Sequence, residues 1–245
     1  MDLTNKVIVV TGGAQGIGLA ISERCAAQGA AVAVWDVRAD AVAAAVERLR
    51  ATGVRVAGCV VDVADGASVQ AAQAATLEAL GRIDGLVNNA GVVADAQLIK
   101  MSEAQWDRVI DINLKGVFNC TRACVAALIA HGGAIVNISS IVGLSGNFGQ
   151  TNYAAAKAGV LAMTKTWARE LGPKGVRSNA VCPGFIATTI VKDIPPAAME
   201  DMVARIPQRR TGQPAEIAAA VVFLLSAEAS YVNGATLEVS GGLSL

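Results

Sequence analysis

Residues 7–18 of the chain are VIVVTGGAQGIG, an apolar, β-branched run that leads directly into a glycine-rich turn. β-branched residues favour strands, and a run that is apolar throughout is typical of a strand covered on both faces. Glycines in the turn allow a sharp bend and let backbone N–H groups approach a phosphate at the start of the following helix. The segment therefore predicts a strand, a turn and a helix that together bind a pyrophosphate, with contacts from Gly12, Gln15, Gly16, Ile17 and Gly18.

Asp36 supports this interpretation from the end of the second predicted strand, twenty residues past Gly16. A carboxylate at this place accepts hydrogen bonds from the hydroxyls of an adenosine ribose. It repels a 2′-phosphate, so NAD(H) is favoured over NADP(H). Arg38 could be the partner of such a phosphate, but a solvated base flanking the adenine is the simpler interpretation. Asp62 and Val63 end the third predicted strand and could contact the adenine, although Asp62 could equally be a turn or cap residue.

The rest of the chain repeats the alternation of short β-branched runs with longer alanine-rich segments of helical period. This alternation predicts a single doubly wound α/β domain of the Rossmann type over residues 1–245, with a seven-stranded parallel sheet and helices on both faces. Ser102 with Gln105 forms a capping box, and Pro214 suits a first helical turn. Strands are expected at residues 6–11, 31–36, 54–63, 85–89, 134–139, 176–182 and 236–239.

One segment, residues 185–210, interrupts the alternation with two adjacent prolines, two methionines and three arginines. In an open α/β sheet, ligands bind outside the carboxyl ends of the strands. We therefore interpret the segment as a substrate lid over that edge of the sheet. An ordinary surface excursion is the alternative.

Composition and charge exclude several classes of function. Of the 245 residues, 53% are hydrophobic and 16% are charged, with 20 basic against 20 acidic side chains. Since no apolar stretch reaches about 18 residues, no membrane span is expected. Without a basic run, nucleic acid is not an expected partner. The N-terminal residues lack the basic-then-apolar layout of a signal peptide, so a cytoplasmic protein is expected.

The cysteines and the single histidine bear on metal binding. The five cysteines are too scattered for a disulfide framework. Cys120 and Cys124 lie one helical turn apart and could suggest a metal pair, but small buried residues on one helix face are the simpler interpretation. With His131 as the sole histidine, a zinc site would need carboxylates at unsuitable spacing. No metal is therefore expected.

Three polar elements follow the later strands, at the edge of the sheet where the glycine turn also lies. They are Asn88-Asn89-Ala90-Gly91 after the fourth strand, Ser139-Ser140 after the fifth, and Tyr153 and Lys157 in the next helix. Because carboxyl ends of parallel strands meet at one edge, these elements are expected to share a cleft. Asn89, Ala90 and Gly91 are therefore expected to contact the nucleotide.

Tyr153 and Lys157 are four residues apart, so both project from one helix face. A phenol has a reference pKa near 10, too high for ready proton release at neutral pH, and an adjacent ammonium stabilises the phenolate. Ser140 can donate a hydrogen bond to a substrate oxygen as charge develops on it. Tyrosine and lysine one turn apart are usually only a helix face. Their conjunction with Ser140 and the glycine turn makes all three catalytic candidates.

Taken together, the glycine turn, the NNAG motif, the serine and tyrosine-x-x-x-lysine resemble the short-chain dehydrogenase/reductase family over residues 6–242. The resemblance implies that Asn113 belongs to the catalytic set, where a helix kink holds a water in a proton relay through Lys157 and the nicotinamide ribose. From its own surroundings Asn113 would be interpreted as an ordinary polar helix residue. The resemblance further implies that the nicotinamide carboxamide is held by Pro183, Gly184, Ile186 and Thr188.

Within the family, the runs GNFGQTNYAAAKAG at 146–159 and AVCPGFI at 180–186 are most similar to the 3-oxoacyl-(acyl carrier protein) reductases of fatty acid metabolism. Two departures stand out. That group commonly uses NADPH with a basic residue where this chain has Gln15, and its basic docking face for the carrier protein is reduced here to Lys174. Apolar pocket candidates around these runs include Leu144 and Phe148. Substrate contacts are expected from Ser140, Val142, Gln150 and Tyr153.

Three functions are compatible with these residues. The first is reduction of a 3-oxoacyl thioester, carried by acyl carrier protein or CoA, with NADH. The second is an NAD-dependent secondary alcohol dehydrogenase of a catabolic pathway, and the third is a catalytically idle nucleotide-binding scaffold. Residues 102–130 and 152–171 are apolar on more than one face, which suggests helix pairing between subunits. The resemblance implies a homotetramer, with the tail 241–245 near another subunit.

Overall fold

The apolar runs form a parallel sheet in a computed structural model, which describes residues 1–187 and 196–243. The strand order is β3-β2-β1-β4-β5-β6-β7, and every neighbouring pair is parallel. The strands are β1 (Val7–Thr11), β2 (Ala31–Asp36), β3 (Val56–Val60), β4 (Gly85–Asn88), β5 (Ala134–Ile138), β6 (Arg177–Pro183) and β7 (Thr236–Val239). The predicted doubly wound α/β fold is confirmed.

Helices connect the strands and cover both faces of the sheet. They are α1 (Gly16–Ala27), α2 (Ala39–Arg50), α3 (Gly66–Leu80), α4 (Glu103–Ile110), α5 (Gly116–His131), α6 (Val142–Ser145), α7 (Thr151–Leu171), α8 (Pro196–Arg205) and α9 (Pro214–Leu225). One apolar core joins the sheet to α1, α2 and α9, and a second joins it to α3, α5 and α7. Cys120 and Cys124 are buried in the second core, in agreement with the simpler interpretation of that pair.

The third strand is shorter than the predicted range 54–63. Its partner in the sheet is β2, whose last ladder position is Asp36 opposite Val60. One further bond, from the Val61 N–H to the Asp36 carbonyl, ends the pairing at 2.9 Å. Val61 and Val63 are β-branched and suit a strand, but β2 offers residues 61–63 no further backbone partner. The hydrophobic pattern alone therefore overestimated the length of this strand.

Helix starts follow the local signals in the sequence. The Gln105 N–H donates to Ser102 Oγ at 3.2 Å, and the Ser102 N–H donates to Gln105 Oε1 at 3.0 Å. This is the predicted capping box at the start of α4, and Pro214 occupies the first turn of α9 as expected.

A single turn of π-helix, Asp111–Lys115, separates α4 from α5 and carries Asn113. The whole stretch Glu103–His131 is long and apolar enough to cross a membrane by length and composition. About 44% of its most apolar window is buried within the protein, where Val109, Val117 and Leu128 belong to the core. A core helix passes the same test of length and composition as a membrane span.

The order of the strands in the sheet determines where the site lies. On one side of β1 lie β2 and then β3. On its other side lie β4, β5, β6 and β7, in that order. Connections that leave the carboxyl ends of β1 and β4 therefore diverge to opposite faces and open a crevice, which is where such sheets bind ligands. The glycine turn follows β1 and the NNAG motif begins at the end of β4, so the two motifs flank this crevice.

Candidate active site

The turn between β1 and α1 requires glycine at Gly12, Gly16 and Gly18, for two different reasons. Gly12 has a φ of +60° and Gly16 a φ of +53°, a backbone region that other residues rarely adopt. A side chain at Gly18 would overlap the carbonyl oxygen of Gly12. Asn89 ties the turn to the end of β4, because its Nδ2 donates to the carbonyls of Thr11 at 3.0 Å and Gly12 at 3.2 Å.

The start of α1 suits an anion. Gln15 is the N-cap residue, but its side chain makes no capping bond, and no acidic residue lies in the first turn of this described helix. The first N–H groups of a helix and the positive end of its dipole are then open to an external acceptor. With a glycine cradle beside it, this terminus fits the pyrophosphate of a dinucleotide.

Asp36 lies next to this turn, at the carboxyl end of β2. Its carboxylate is buried and accepts the N–H of Ala14 at 3.3 Å and the N–H of Arg38 at 3.2 Å. Asp62 behaves differently, because it is exposed and its Oδ1 accepts the N–H of Ala64 at 2.9 Å. Asp62 therefore has the turn role that the sequence left open. Its contact with adenine stays a prediction, as does that of the buried Val63.

A cleft of about 430 Å³ runs from the glycine turn to the start of α7. It brings together most of the residues expected from the sequence, contributed by β1, β4, β5, β6 and the helices that follow them. Those lining the cleft are Gly12, Gln15, Gly16, Ile17, Gly18, Asn89, Ala90, Gly91, Ser140, Tyr153, Lys157, Pro183, Gly184 and Ile186.

Tyr153 and Ser140 both line the cleft, and the Ser140 hydroxyl is close enough to the Tyr153 phenol to influence its ionisation. The pKa of Tyr153 is raised to about 12, chiefly by burial; hydrogen bonding to Ser140 opposes the rise, and the negative charge of Asp95 contributes to it. Ser140 is itself oriented, because its Oγ accepts the N–H of Val142 at 3.2 Å. The phenol is thus neutral at physiological pH and can donate a proton to a bound oxygen.

Lys157 lies beneath the Tyr153 ring, with its Nζ 5.5 Å from the ring centroid. The Nζ donates to the carbonyl of Ile138 at 2.8 Å, and burial lowers the pKa of Lys157 to about 8. The sequence predicted that this ammonium would lower the pKa of Tyr153. Within the protein that prediction is wrong, because the desolvation of the phenol outweighs every stabilising influence on its charged form.

Asn113 is fully buried behind the cleft, in the π-helical turn. Its Nδ2 donates to the Val92 carbonyl at 2.7 Å, and its Oδ1 accepts the Val92 N–H at 2.9 Å. A Cβ on Gly91 would lie 2.5 Å from this Oδ1 and 3.6 Å from the Nζ of Lys157. Asn113 therefore fixes the chain just after the NNAG motif against Lys157. The helix irregularity implied by the family resemblance is present, and the water relay stays a prediction.

The segment after β6 forms the third wall. The Gly184 N–H donates to the Val239 carbonyl at 3.1 Å, and a Cβ on Gly184 would lie 2.8 Å from the Cα of Ser240. Further along, the Ala187 N–H donates to the Gly212 carbonyl at 2.8 Å. Backbone pairing on both sides thus holds the stretch that contains Ile186. Thr188 and the centre of the predicted lid, 188–195, lie outside the described residues.

Several predicted residues do not line the cleft. They are Asp36, Asp62, Val63, Asn113, Val142 and Gln150. Gln150, expected to contact substrate, donates from Nε2 to Asp95 and accepts at Oε1 from Asn147. Lys174, the expected docking base, follows the far end of α7, so about 30 Å of helix separates it from Tyr153 in the same chain.

Asn152 is a positioning residue that the sequence reasoning missed. It is fully buried, and its Oδ1 accepts the N–H of Tyr153 at 2.8 Å. Its Nδ2 donates to the carbonyls of Ala94 at 3.0 Å and Gln105 at 3.1 Å. These bonds lock the first turn of α7 to two other segments. A polar residue directly before the candidate tyrosine was the available signal.

Comparisons with known proteins agree with this geometry. A family model described as enoyl-(acyl carrier protein) reductase matches residues 12–244. A 3-oxoacyl-[acyl-carrier-protein] reductase from Thermotoga maritima is 45% identical over 244 residues, with 99% of each chain covered. A (3R)-3-hydroxyacyl-CoA dehydrogenase from Mus musculus is 43% identical, covering 99% of this chain and 98% of that one. A crystal structure of levodione reductase superposes with a TM-score of 0.94 at 38% identity, covering 98% of both chains.

Proposed function

The chain belongs to the short-chain dehydrogenase/reductase family, and from this premise we propose that it reduces a 3-oxoacyl thioester to the 3-hydroxyacyl product with NADH. The observation that carries the proposal is the convergence of Ser140, Tyr153 and Lys157 in one cleft with the glycine turn. The names of two relatives, an acyl-carrier-protein reductase and an acyl-CoA dehydrogenase, support a thioester substrate.

In this mechanism Tyr153 donates its phenolic proton to the carbonyl oxygen of the substrate. Ser140 donates a hydrogen bond to the same oxygen as negative charge develops there, which lowers the barrier most when the donor is already oriented. Val142 provides that orientation through its N–H. Lys157, buried beneath the ring, stabilises the phenolate that remains, and Asn113 keeps the adjoining backbone in place.

The dinucleotide would be held by the glycine turn at its pyrophosphate and by Asp36 at its adenosine ribose. When bound, the nicotinamide supplies the hydride that the carbonyl carbon accepts. NADH is proposed over NADPH because a buried carboxylate at the end of β2 opposes a 2′-phosphate. Pro183, Gly184 and Ile186 would hold the carboxamide, and Asn89, Ala90 and Gly91 the central part of the nucleotide.

A secondary alcohol dehydrogenase is the second candidate, and Asp36 is the observation that favours it, because an NAD-linked enzyme more often works oxidatively. The idle scaffold has less support, since a protein that only binds a nucleotide does not need Ser140, Tyr153 and Lys157 together in the nucleotide cleft. Initial rates with NADH and NADPH, against 3-oxoacyl thioesters of carrier protein and CoA and against secondary alcohols, separate these functions. Rates confined to simple alcohols would contradict the thioester proposal.

We further propose a homotetramer built on the helices α4, α5 and α7. Trp106 on α4 and Phe118 on α5 are large apolar side chains that remain exposed in the single chain. Such patches are typical of surfaces that pair with another subunit. Sedimentation or light scattering tests the proposal, and a monomer at micromolar concentration would contradict it.

A further inference from the structure

Asp95 is an exposed carboxylate on the rim of the cleft, where the paired segments 92–99 and 147–150 form what we call the mouth. Val92 and Val93 line the cleft, and Asp95 follows two residues later on the same segment. The next residue, Ala96, donates its N–H to the carbonyl of Gly149 at 2.9 Å, which pairs this segment with the one that leads into α7. Asp95 therefore lies between a segment that lines the cleft and the segment that leads into Tyr153.

The charge of Asp95 is not neutralised by its neighbours. Its Oδ1 and Oδ2 accept from Gln150 Nε2 at 3.1 and 3.0 Å, but a carboxamide carries no charge. No ammonium or guanidinium of the described residues lies within 4 Å of this exposed carboxylate. Its negative charge reaches into the cleft, since it raises the pKa of Tyr153.

The mouth also carries large exposed apolar side chains. Val93, Leu98, Ile99 and Phe148 are all exposed on the two paired segments. Apolar surroundings suit an acyl chain, and they also reduce the screening of a nearby charge by water. Deeper in the described cleft, Lys157 is the one cation, and an ammonium there attracts any anion small enough to enter.

We propose that Asp95 determines specificity by charge, disfavouring substrates with a free carboxylate near the reducible carbonyl and favouring neutral thioesters and esters. The proposal rests on the proposed function and names its substrate class more narrowly. A free 3-oxo acid is an anion at neutral pH, so Lys157 attracts it and Asp95 at the mouth repels it. A 3-oxo ester or thioester has no such charge and enters without this cost.

The test compares acetoacetate with methyl acetoacetate, which share the 3-oxo group and differ in charge. The wild-type protein should have the higher kcat/KM for the ester. Asp95→Asn retains one oxygen acceptor for Gln150 and removes the charge, so it should narrow the ester-to-acid ratio by about 3–10-fold, mainly through a lower KM for the acid. Glu78→Gln makes the same charge change on the exposed face of α3, in its last turn, and should leave the ratio unchanged.

Salt gives a second measurement that needs no variant. Raising ionic strength from about 0.1 M to about 1 M shortens the screening length from about 10 Å to about 3 Å. The ester-to-acid ratio should then narrow in the wild-type protein. Because both substrates use the same dinucleotide, its own salt response cancels in the ratio.

Two results for the ester-to-acid ratio of kcat/KM would overturn the proposal. One is a wild-type ratio that does not change with salt, and the other is a ratio in Asp95→Asn equal to that of the wild type. An equal fall for both substrates in Asp95→Asn would also overturn it, since the residue would then only anchor Gln150. Should Asp95→Asn not fold, the salt measurement still decides. A wild-type protein that reduces a 3-oxoacyl-CoA but not methyl acetoacetate, or that reduces both small compounds with a failed ratio, would overturn the inference alone. A wild-type protein that reduces no 3-oxoacyl thioester would overturn the proposed function and this inference with it.

Discussion

Replacing Lys157 with methionine should stabilise the protein while it inactivates the enzyme. Lys157 is fully buried and remains protonated at pH 7, because burial lowers its pKa only to about 8 from the ordinary lysine value of 10.5. This lowering corresponds to about 3 kcal/mol of unfavourable free energy for the charged form. The substitution removes that cost, but it also removes the bond from Nζ to the Ile138 carbonyl, which costs about 1 kcal/mol. The expected net gain in the free energy of unfolding is about 2 kcal/mol.

The pH dependence identifies the cause of the gain. The folded wild-type protein binds fewer protons at Lys157 than the unfolded chain between pH 8 and pH 10.5, so its stability relative to Lys157→Met should rise through this interval. The advantage of the variant is therefore full below pH 8 and lost by pH 10.5. Changes at other groups are common to both proteins and cancel.

Thermal unfolding with no nucleotide added measures the effect. A gain of about 2 kcal/mol should raise Tm by roughly 4–8 °C at pH 7 in a chain of this size. Lys165→Met, on the exposed face of α7, is the matched control and should show no comparable gain. A lower Tm for Lys157→Met at pH 7, or an advantage that persists at pH 10.5, would refute the reasoning that the ammonium is retained for chemistry at the expense of stability.

Further measurements test the proposed roles of Tyr153, Asp36 and Lys174. Tyr153→Phe should lower the rate about 10²–10⁴-fold with NADH binding retained in calorimetry, and near wild-type turnover would contradict the mechanism. Ultraviolet titration should show Tyr153 ionising only above pH 10, a step absent from Tyr153→Phe. Asp36→Ala should reduce an NADH preference of about 10–100-fold, and equal wild-type kcat/KM for both nucleotides would contradict the assignment. Lys174→Glu should raise KM for a carrier-bound substrate alone, because a charge at the rim of an interface acts on docking; an equal effect on a CoA substrate would argue against docking there.

Local pattern was sufficient for most of the architecture. The second and seventh strands begin and end where alternation and β-branching predicted, and the capping box at Ser102 and the helical start at Pro214 are both present. These features depend on residues close in sequence. The third strand was predicted too long because a strand ends where its neighbour in the sheet ends, which is a property of β2 and not of residues 61–63.

The sequence predicted which residues form the site better than it predicted their pKa values. Tyr153, Lys157 and Ser140 were identified from spacing, and Asn113 only from the resemblance to a family. The direction of the Tyr153 pKa was predicted wrongly, because pairing on one helix face suggests attraction while burial from other elements governs the result. Asp95 was missed, since no local pattern distinguishes it from a solvated loop acid.

Composition, hydrophobic period and glycine placement were enough to specify a doubly wound sheet with a nucleotide crevice at its carboxyl edge, because each depends on short-range steric and packing preferences. The tertiary structure was needed for every property that depends on distant segments meeting. It seats Asn152 among Ala94 and Gln105, buries Lys157 under the Tyr153 ring, and brings Asp95 to the mouth of the cleft. Desolvation and charge act through space, so the chemistry of these groups follows from their three-dimensional neighbours and not from their order along the chain.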